Sequence, residues 1–178
     1  MSLQKKQKKI KYLTVSAMLC ALSVIVLMLG SMIEVLDLSA AVIASFFCIY
    51  AVIEMSGVYP WLIWLSTTVL SFILLGPRSP ILFYVCFAGY YPILKEKLEK
   101  HPNRIALPLK LLIFHVALVL MYGGARLFLP SMLDDFAFNW LLLGLYVASV
   151  AVFLVYDYAL TKLISTYLYR LRNRFHIK

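Results

Sequence analysis

Charged side chains are scarce in this sequence. Only 14% of its 178 residues are Asp, Glu, Lys or Arg, whereas 63% are hydrophobic, and the mean hydropathy is +0.90. Soluble domains carry about 25% charged and about 45–50% apolar residues. A chain of this length could not bury so large an apolar excess within one soluble core. The composition therefore excludes a soluble globular protein and indicates that membrane lipids surround most of the chain.

The motifs of enzymes and metal proteins are missing as well. The three cysteines, Cys20, Cys48 and Cys86, lie within apolar runs and form no CxxC pair, which excludes a disulfide framework and argues against a zinc site. The sequence has no HExxH, GxSxG, GxGxxG or P-loop. We therefore expect no catalytic residue, no cofactor and no enzyme activity, and any ATP-driven work would have to come from another chain.

Acidic residues are few, so the formal net charge is +9. The basic residues do not form a stripe on a fold but gather at the ends of apolar runs, which argues against a nucleic-acid partner. Five lie in each of three groups, namely the start of the chain, the stretch around 95–110 and the C-terminal end, and together these groups hold 15 of the 17 Lys and Arg residues.

Six apolar runs follow one another along the sequence. A membrane-spanning helix needs about 20 such residues, because each adds about 1.5 Å across roughly 30 Å of hydrocarbon. The pattern predicts an all-α integral membrane protein, a six-transmembrane-helix bundle forming a single transmembrane domain over 1–178. The runs cover 10–31, 38–57, 58–75, 80–94, 107–129 and 138–158.

Six spans place all three basic groups on one side of the membrane. The positive-inside rule then puts both termini in the cytoplasm of a bacterial-type cell membrane. It makes 1–9 a basic cytoplasmic tail, 95–106 a cytoplasmic loop and 166–178 a basic cytoplasmic extension. The connection between the second and third runs carries no charge, so a long bent helix or a hairpin is open there.

Polar residues predicted at the outer side are the candidates for binding a substrate. Arginines at the mouth of a helical bundle can grip a carboxylate or phosphate, or they can pair with acidic neighbours at the membrane edge. Nearby aromatic rings can stack on a ligand or belong to the interfacial belt. The candidate residues are Glu34, Asp37, Arg78, Arg126, Asn139 and Tyr146.

A second polar group is predicted near the inner interface. Glu54, Lys110 and Asp157 lie at that depth, and His115 is about 7 Å deeper than Lys110. These side chains can form interfacial salt bridges or snorkel to water, or they can relay a proton.

Small residues recur at a spacing of four, which lets helix backbones approach closely in lipid. The first run holds Ala17 and Ala21, the second Ala40 and Ala44, and the sixth Gly144 and Ala148. Packing inside the bundle and docking to a partner are both open.

The chain resembles the substrate-binding S components of energy-coupling-factor (ECF) vitamin importers. The resemblance lies in the basic N-terminus leading into a helix with Ala17 and Ala21, and in the stretch Leu-Asp-Leu-Ser over 36–39. The glycine-rich turn common after the second helix is reduced here to Gly57 and Pro60. The resemblance implies six helices, Ala17 and Ala21 docked on a transmembrane coupling subunit, cytoplasmic ATPases as partners, and outer loops that close over a small vitamin-like molecule.

Two other functions are compatible with the same pattern. A polytopic scaffold or assembly protein would need a protein partner but no ligand. A stand-alone proton-coupled transporter would use His115 and the inner acidic residues, and pH rather than a partner ATPase would control its uptake.

Overall fold

The architecture is helical throughout the part of the chain that the structure describes. That structure, a computed structural model, describes residues 3–55, 57–100, 102–128 and 140–167, and no strand occurs among them. The helices are α1 (Leu3–Ser31), α2 (Asp37–Glu54), α3 (Tyr59–Leu75), α4 (Ser79–Phe83), α5 (Tyr91–Leu98), α6 (Asn103–Phe128) and α7 (Trp140–Thr166). A 3-10 turn (Glu34–Leu36) precedes α2, and a π-helical turn (Tyr84–Ala88) follows α4.

Four of these helices are long and apolar enough to cross a membrane. They are α1, α2, α6 and α7, with mean hydropathies between 1.7 and 2.4 over their spanning windows. The chain thus has the helices of a multi-pass membrane protein, as the composition predicts. The other two predicted runs differ, so the count of six spans is not confirmed: α3 has only 17 residues, and the fourth run is broken.

The break in the fourth run follows from its sequence. Pro92 lies in the first turn of α5, where the missing N–H costs nothing because the first N–H groups of a helix have no intrahelical partner. Upstream, the backbone widens into the π-helical turn, whose hydrogen bond runs from the Gly89 N–H to the Tyr84 carbonyl at 2.8 Å. A five-residue α4, the π-helical turn and an eight-residue α5 therefore replace one continuous span.

The second and third runs are separate helices. α2 ends at Glu54 and α3 begins at Tyr59, and Gly57 between them has a φ of 71°. Glycine adopts this left-handed conformation without the steric penalty that a Cβ would bring. Pro60 then lies in the first turn of α3. Of the two alternatives that the sequence left open, a long bent helix and a hairpin, the structure therefore shows the hairpin.

The polar segments predicted around the spans are largely helical. The basic stretch at the start of the chain belongs to α1 from Leu3 onward. The predicted loop over 95–106 shrinks to the residues between the end of α5 at Leu98 and the start of α6 at Asn103. Of the predicted extension over 166–178, the part beyond 167 lies outside the described residues.

The chain divides into two compact units, Met1–Pro130 and Ser131–Lys178. In the first unit α1 packs against both α2 and α3, while α2 also contacts α4, the π-helical turn and α5. α6 contacts α4, the π-helical turn and α5. The second unit contains α7, which is described by itself.

The interior of the first unit combines small side chains with larger apolar and aromatic ones. One cluster joins Leu27, Ala41, Ala44, Tyr84 and Ala88, so that α1, α2 and the π-helical turn meet there. A second cluster joins Leu19, Ala51, Met55 and Ile63 of α1, α2 and α3. Large apolar residues such as Met18 and Leu22 remain exposed on α1. Such an outward apolar surface suits a helix whose surroundings are lipid.

Candidate functional site

Two of the predicted outer residues, Arg78 and Arg126, have hydrogen-bond partners close by. Arg78, just before α4, donates a hydrogen bond from Nη1 to the Ser31 carbonyl at the end of α1, at 3.1 Å. The last carbonyls of a helix lack intrahelical partners and carry partial negative charge, so an arginine there stabilises the helix end. Glu34 lies in the 3-10 turn that follows α1, and Asp37 is the first residue of α2. Arg78 therefore joins the α1–α2 connection to the start of α4.

Arg126, the other predicted outer arginine, is held by its own helix. Its Nε and Nη2 donate to the Tyr122 hydroxyl at 3.1 and 3.0 Å, and its guanidinium lies 5.5 Å from the centre of the Tyr122 ring. Tyr146 lies on α7 in the second unit. Asn139 lies outside the described residues. The substrate-binding role of this outer group remains a prediction.

Two of the three predicted small-residue pairs lie in different surroundings within the first unit. Ala40 and Ala44 of α2 are 5% and 0% exposed, and Ala44 belongs to the interior cluster with Leu27 and Tyr84. Ala17 and Ala21 of α1 are exposed, on the side that the first unit leaves uncovered. The Ala40–Ala44 pair therefore serves internal packing, whereas Ala17 and Ala21 form a small-residue surface that another helix could approach.

Lys110, which was predicted near the inner interface, shares one carboxylate with a second lysine, Lys95. Lys95 Nζ lies 3.1 Å from Glu99 Oε1, and Lys110 Nζ lies 3.5 Å from the same oxygen. The Lys95 side chain is completely buried, although the sequence places it in a predicted loop. Only its spacing of four residues from Glu99 could have indicated this pair. The ion pairs link α5 to α6.

The predicted relay group has other local contacts. The structure gives Lys110 a partner, Glu99, that the predicted relay did not include. His115 Nδ1 lies 2.7 Å from the Leu111 carbonyl, one turn earlier on α6. Asp157 lies on α7 in the second unit. Proton relay stays a prediction.

One buried polar surface escaped the sequence analysis, and it lies on α3. Trp64 Nε1, Thr67 Oγ1, Thr68 Oγ1 and Ser71 Oγ are all shielded, and none has a hydrogen-bond partner among the described residues. Thr67 and Ser71 are both 0% exposed. At 3.6 residues per turn these four positions fall within an arc of about 100°. We call these four residues the α3 polar face; their spacing of three and four is the signal that could have revealed it.

Aromatic rings and a glycine fix one end of the α3 polar face. The Trp64 ring meets Trp61 and Tyr90 edge to face, with ring centres 5.7 and 6.0 Å apart. A Cβ at Gly89 would collide with Trp64 Cδ1 and would lie 2.9 Å from the Tyr84 ring. The absence of a side chain at Gly89 therefore lets the segment after the π-helical turn come close to the indole.

Comparison with known proteins gives no relative: no protein-family model matches the chain, and no curated protein or solved structure is significantly similar to it. Among the described residues no group of three or more His, Cys, Asp or Glu side chains could hold a metal ion. The features that bear on function are therefore the exposed Ala17 and Ala21 of α1, the α3 polar face, and the ion pairs of Glu99 with Lys95 and Lys110.

Proposed function

We propose that this chain is the membrane-embedded substrate-binding subunit of a small-molecule importer that separate ATPase subunits energise. In this proposal it lies in a bacterial-type cell membrane with six membrane passages and both termini in the cytoplasm. The 17 residues of α3 reach about 25 Å, close to the minimum for a span. The broken helix from α4 to α5 would provide the remaining passage, with its irregular turn surrounded by protein.

The observation that carries the proposal is the exposure of Ala17 and Ala21 on a long apolar helix. Lipid gives apolar helices no hydrophobic reason to associate, so close contact through small side chains has to drive their packing. A small-residue pair that the other helices of the first unit leave uncovered is therefore available to a helix of a second protein. In the S components that this sequence resembles, the same pair packs against the transmembrane coupling subunit.

An assembly scaffold is the second candidate, because an exposed alanine pair would serve it equally well. The α3 polar face favours the importer. A scaffold gains nothing from four shielded polar atoms without partners, whereas a substrate-binding subunit needs hydrogen-bonding groups inside its helices to hold a solute.

Affinity purification in mild detergent, followed by identification of the bound proteins, tests this function. We expect recovery of a membrane subunit together with paired ATPases, and loss of both from the double variant Ala17→Trp and Ala21→Trp. Val119→Trp is the matched control, because Val119 is 71% exposed on α6 and a bulky ring there should leave the complex intact.

Recovery of cell-wall enzymes in place of ATPases would favour the scaffold. Recovery of the chain alone would contradict both candidates. An unchanged complex in the Ala17 and Ala21 double variant would show that partners bind elsewhere, which removes the observation on which the proposal depends.

A further inference from the structure

We propose that the first turns of α1, residues 3–11, bind the phosphate headgroups of anionic lipids. We call this stretch the basic start of α1. The inference does not rest on the proposed function, because it uses only the length, charge and exposure of α1 and its contacts with α3. It names a partner, an anionic lipid surface, for lysines that α1 itself leaves without opposite charge.

The charge of this stretch is not balanced within the first unit. The nine residues include five lysines, and α1 contains no acidic residue along its whole length. The lysines whose side chains the structure describes are all exposed, and none pairs with a carboxylate of the described residues; they are Lys6, Lys8, Lys9 and Lys11. Lys100 of the turn after α5, by contrast, lies 3.2 Å from Glu96.

The position of the lysines works against the helix that carries them. The first N–H groups of a helix have no intrahelical partners and give that end a partial positive charge, which acidic residues favour and lysines oppose. Lysines three residues apart, such as Lys6 and Lys9, are neighbours on the helix surface and repel each other. An anionic surface in contact with this end of α1 relieves both penalties.

The length of α1 places these lysines at the depth of the headgroups. Residues 12–31 alone rise about 30 Å, which is the thickness of the hydrocarbon. The headgroup region adds about 5–8 Å on each side. Lys11 is adjacent to the spanning stretch, and Lys8 lies about 6 Å before Tyr12 along the helix axis. The ammonium groups therefore belong where lipid phosphates lie.

Contacts with α3 show that this end of α1 extends beyond its neighbour. The Tyr12 ring meets Tyr59, the first residue of α3, edge to face with ring centres 5.3 Å apart. Further along both helices, Leu19 and Ile63 belong to one cluster, so α1 and α3 run in the same direction. The residues before Tyr12 therefore lie past the start of α3. Lys8 Nζ is 5.7 Å from the centre of the Tyr12 ring, an arrangement that suits a membrane interface.

Apolar side chains beside the lysines favour a lipid surface over a water-soluble polyanion. Ile10 and Leu13 are 57% and 61% exposed. A nucleic acid would neutralise the lysines through its phosphates but would leave these two side chains in water. A bilayer accepts both kinds of residue, because apolar side chains reach the acyl region while ammonium groups stay among the headgroups. The basic start of α1 therefore fits an anionic bilayer surface.

Lipid titration of the full-length protein in a neutral detergent tests the inference. Phosphatidylglycerol and phosphatidylcholine with the same acyl chains are added separately, and bound lipid is counted by native mass spectrometry. We expect phosphatidylglycerol to bind about tenfold more tightly at low salt. The preference should shrink in about 0.5 M NaCl, because salt screens exposed charges. Equal binding of the two lipids at low salt would overturn the proposal.

Lysine variants locate the binding. Lys9→Gln and Lys11→Gln each remove one charge with little loss of helix propensity, so the fold should be kept. Each should weaken phosphatidylglycerol binding about fivefold, the effect of one lysine near an anionic surface. The double variant should lose more affinity than either single variant, and phosphatidylcholine binding should not change. Wild-type affinity in the double variant would contradict the proposed surface.

Arg126→Gln is the matched control, because it also removes one positive charge. Arg126 lies in the last turn of α6, whose final residue, Phe128, meets Phe72 of α3. Phe72 is about 20 Å along α3 from Tyr59, so this end of α6 lies beyond a Debye length of about 10 Å from the basic start of α1. We expect little change in phosphatidylglycerol binding. A loss equal to that of Lys9→Gln would show that net charge alone governs the preference, which overturns the assignment to α1.

Competition distinguishes the lipid from other anions. Inorganic phosphate at millimolar concentration should leave phosphatidylglycerol bound, since it offers no contact to Ile10 and Leu13. Displacement of the lipid by inorganic phosphate would overturn the lipid as the partner. A single-stranded oligonucleotide that displaces the lipid from the wild type, and fails to bind the Lys9 and Lys11 double variant, would overturn it too and assign the surface to a nucleic acid.

Discussion

α1 and α3 carry similar sequence signals but present them to different surroundings. Ala17 and Ala21 repeat at a spacing of four on α1, and Thr67 and Ser71 do the same on α3. The alanines are exposed on the outside of the first unit, whereas the two hydroxyl residues are completely buried inside it. The alanine pair lacks a helix packed against it, and the hydroxyl pair lacks hydrogen-bond partners among the described residues.

The comparison separates two kinds of incomplete surface. On α1 the missing contact is van der Waals packing, the kind of contact through which small residues let helices associate in lipid. On α3 the missing contacts are hydrogen bonds to side chains that are shielded from solvent. The two helices therefore differ in what is missing, and substitutions can test this difference.

Filling the space beside Trp64 should have the largest effect. Gly89→Leu would place a side chain against Trp64 and Tyr84, and overpacking of this kind costs about 3 kcal/mol. We expect a large drop in melting temperature, measured with a thiol-reactive dye that reports exposure of Cys20 and Cys48, which are 5% and 0% exposed. Gly123→Ala, with no atom within 4 Å of the added carbon, should leave the melting temperature unchanged or raise it. Equal behaviour of the two variants would contradict the close packing.

Enlarging alanines should distinguish the inside of the first unit from its outside. Ala44→Leu inserts three carbons beside Leu27 and Tyr84 and should cost about 1–3 kcal/mol. Ala21→Leu lies on the exposed side of α1 and should change stability by less than about 0.5 kcal/mol. The same melting assay compares them. A larger loss of melting temperature in Ala21→Leu than in Ala44→Leu would show that Ala21, and not Ala44, faces the packed interior.

Removing unpaired hydroxyls should have the smallest effect and the opposite sign. In the ligand-free protein, Thr67→Val deletes a buried group that has no partner, so we expect stabilisation by about 1 kcal/mol. Ser23→Ala deletes a back-bonded hydroxyl and should change stability by less than about 0.5 kcal/mol. Destabilisation by Thr67→Val would show that this hydroxyl already has a structural partner, such as a buried water molecule.

Long apolar stretches made several helices predictable. The runs that became α1, α2, α6 and α7 are each long enough to cross the hydrocarbon, so neighbouring segments hardly matter to whether a helix forms. The fourth run could not be predicted in the same way. Its 15 residues over 80–94 suggest a span, but Pro92 and Gly89 divide it, and the result depends on packing against Trp64.

The candidate site was much less predictable. Charged residues draw attention because they are rare in membranes, so the sequence pointed to Arg78 and Arg126, which the structure shows bonded to Ser31 and Tyr122. Nothing in the sequence marked Thr67 and Ser71 as site candidates, because a hydroxyl in a membrane helix ordinarily bonds to its own backbone. Whether it does so depends on its rotamer and on the neighbouring helix.

By itself, then, the sequence determined that lipid surrounds most of this protein and roughly where its longest helices lie, since hydrophobicity is a sum over neighbouring residues. Only the tertiary structure decided which side of each helix faces inward, because that depends on residues far apart in the chain. It hid Ala44 and exposed Ala17, and it buried Lys95 against Glu99. It also enclosed the hydroxyls of α3 without giving them partners.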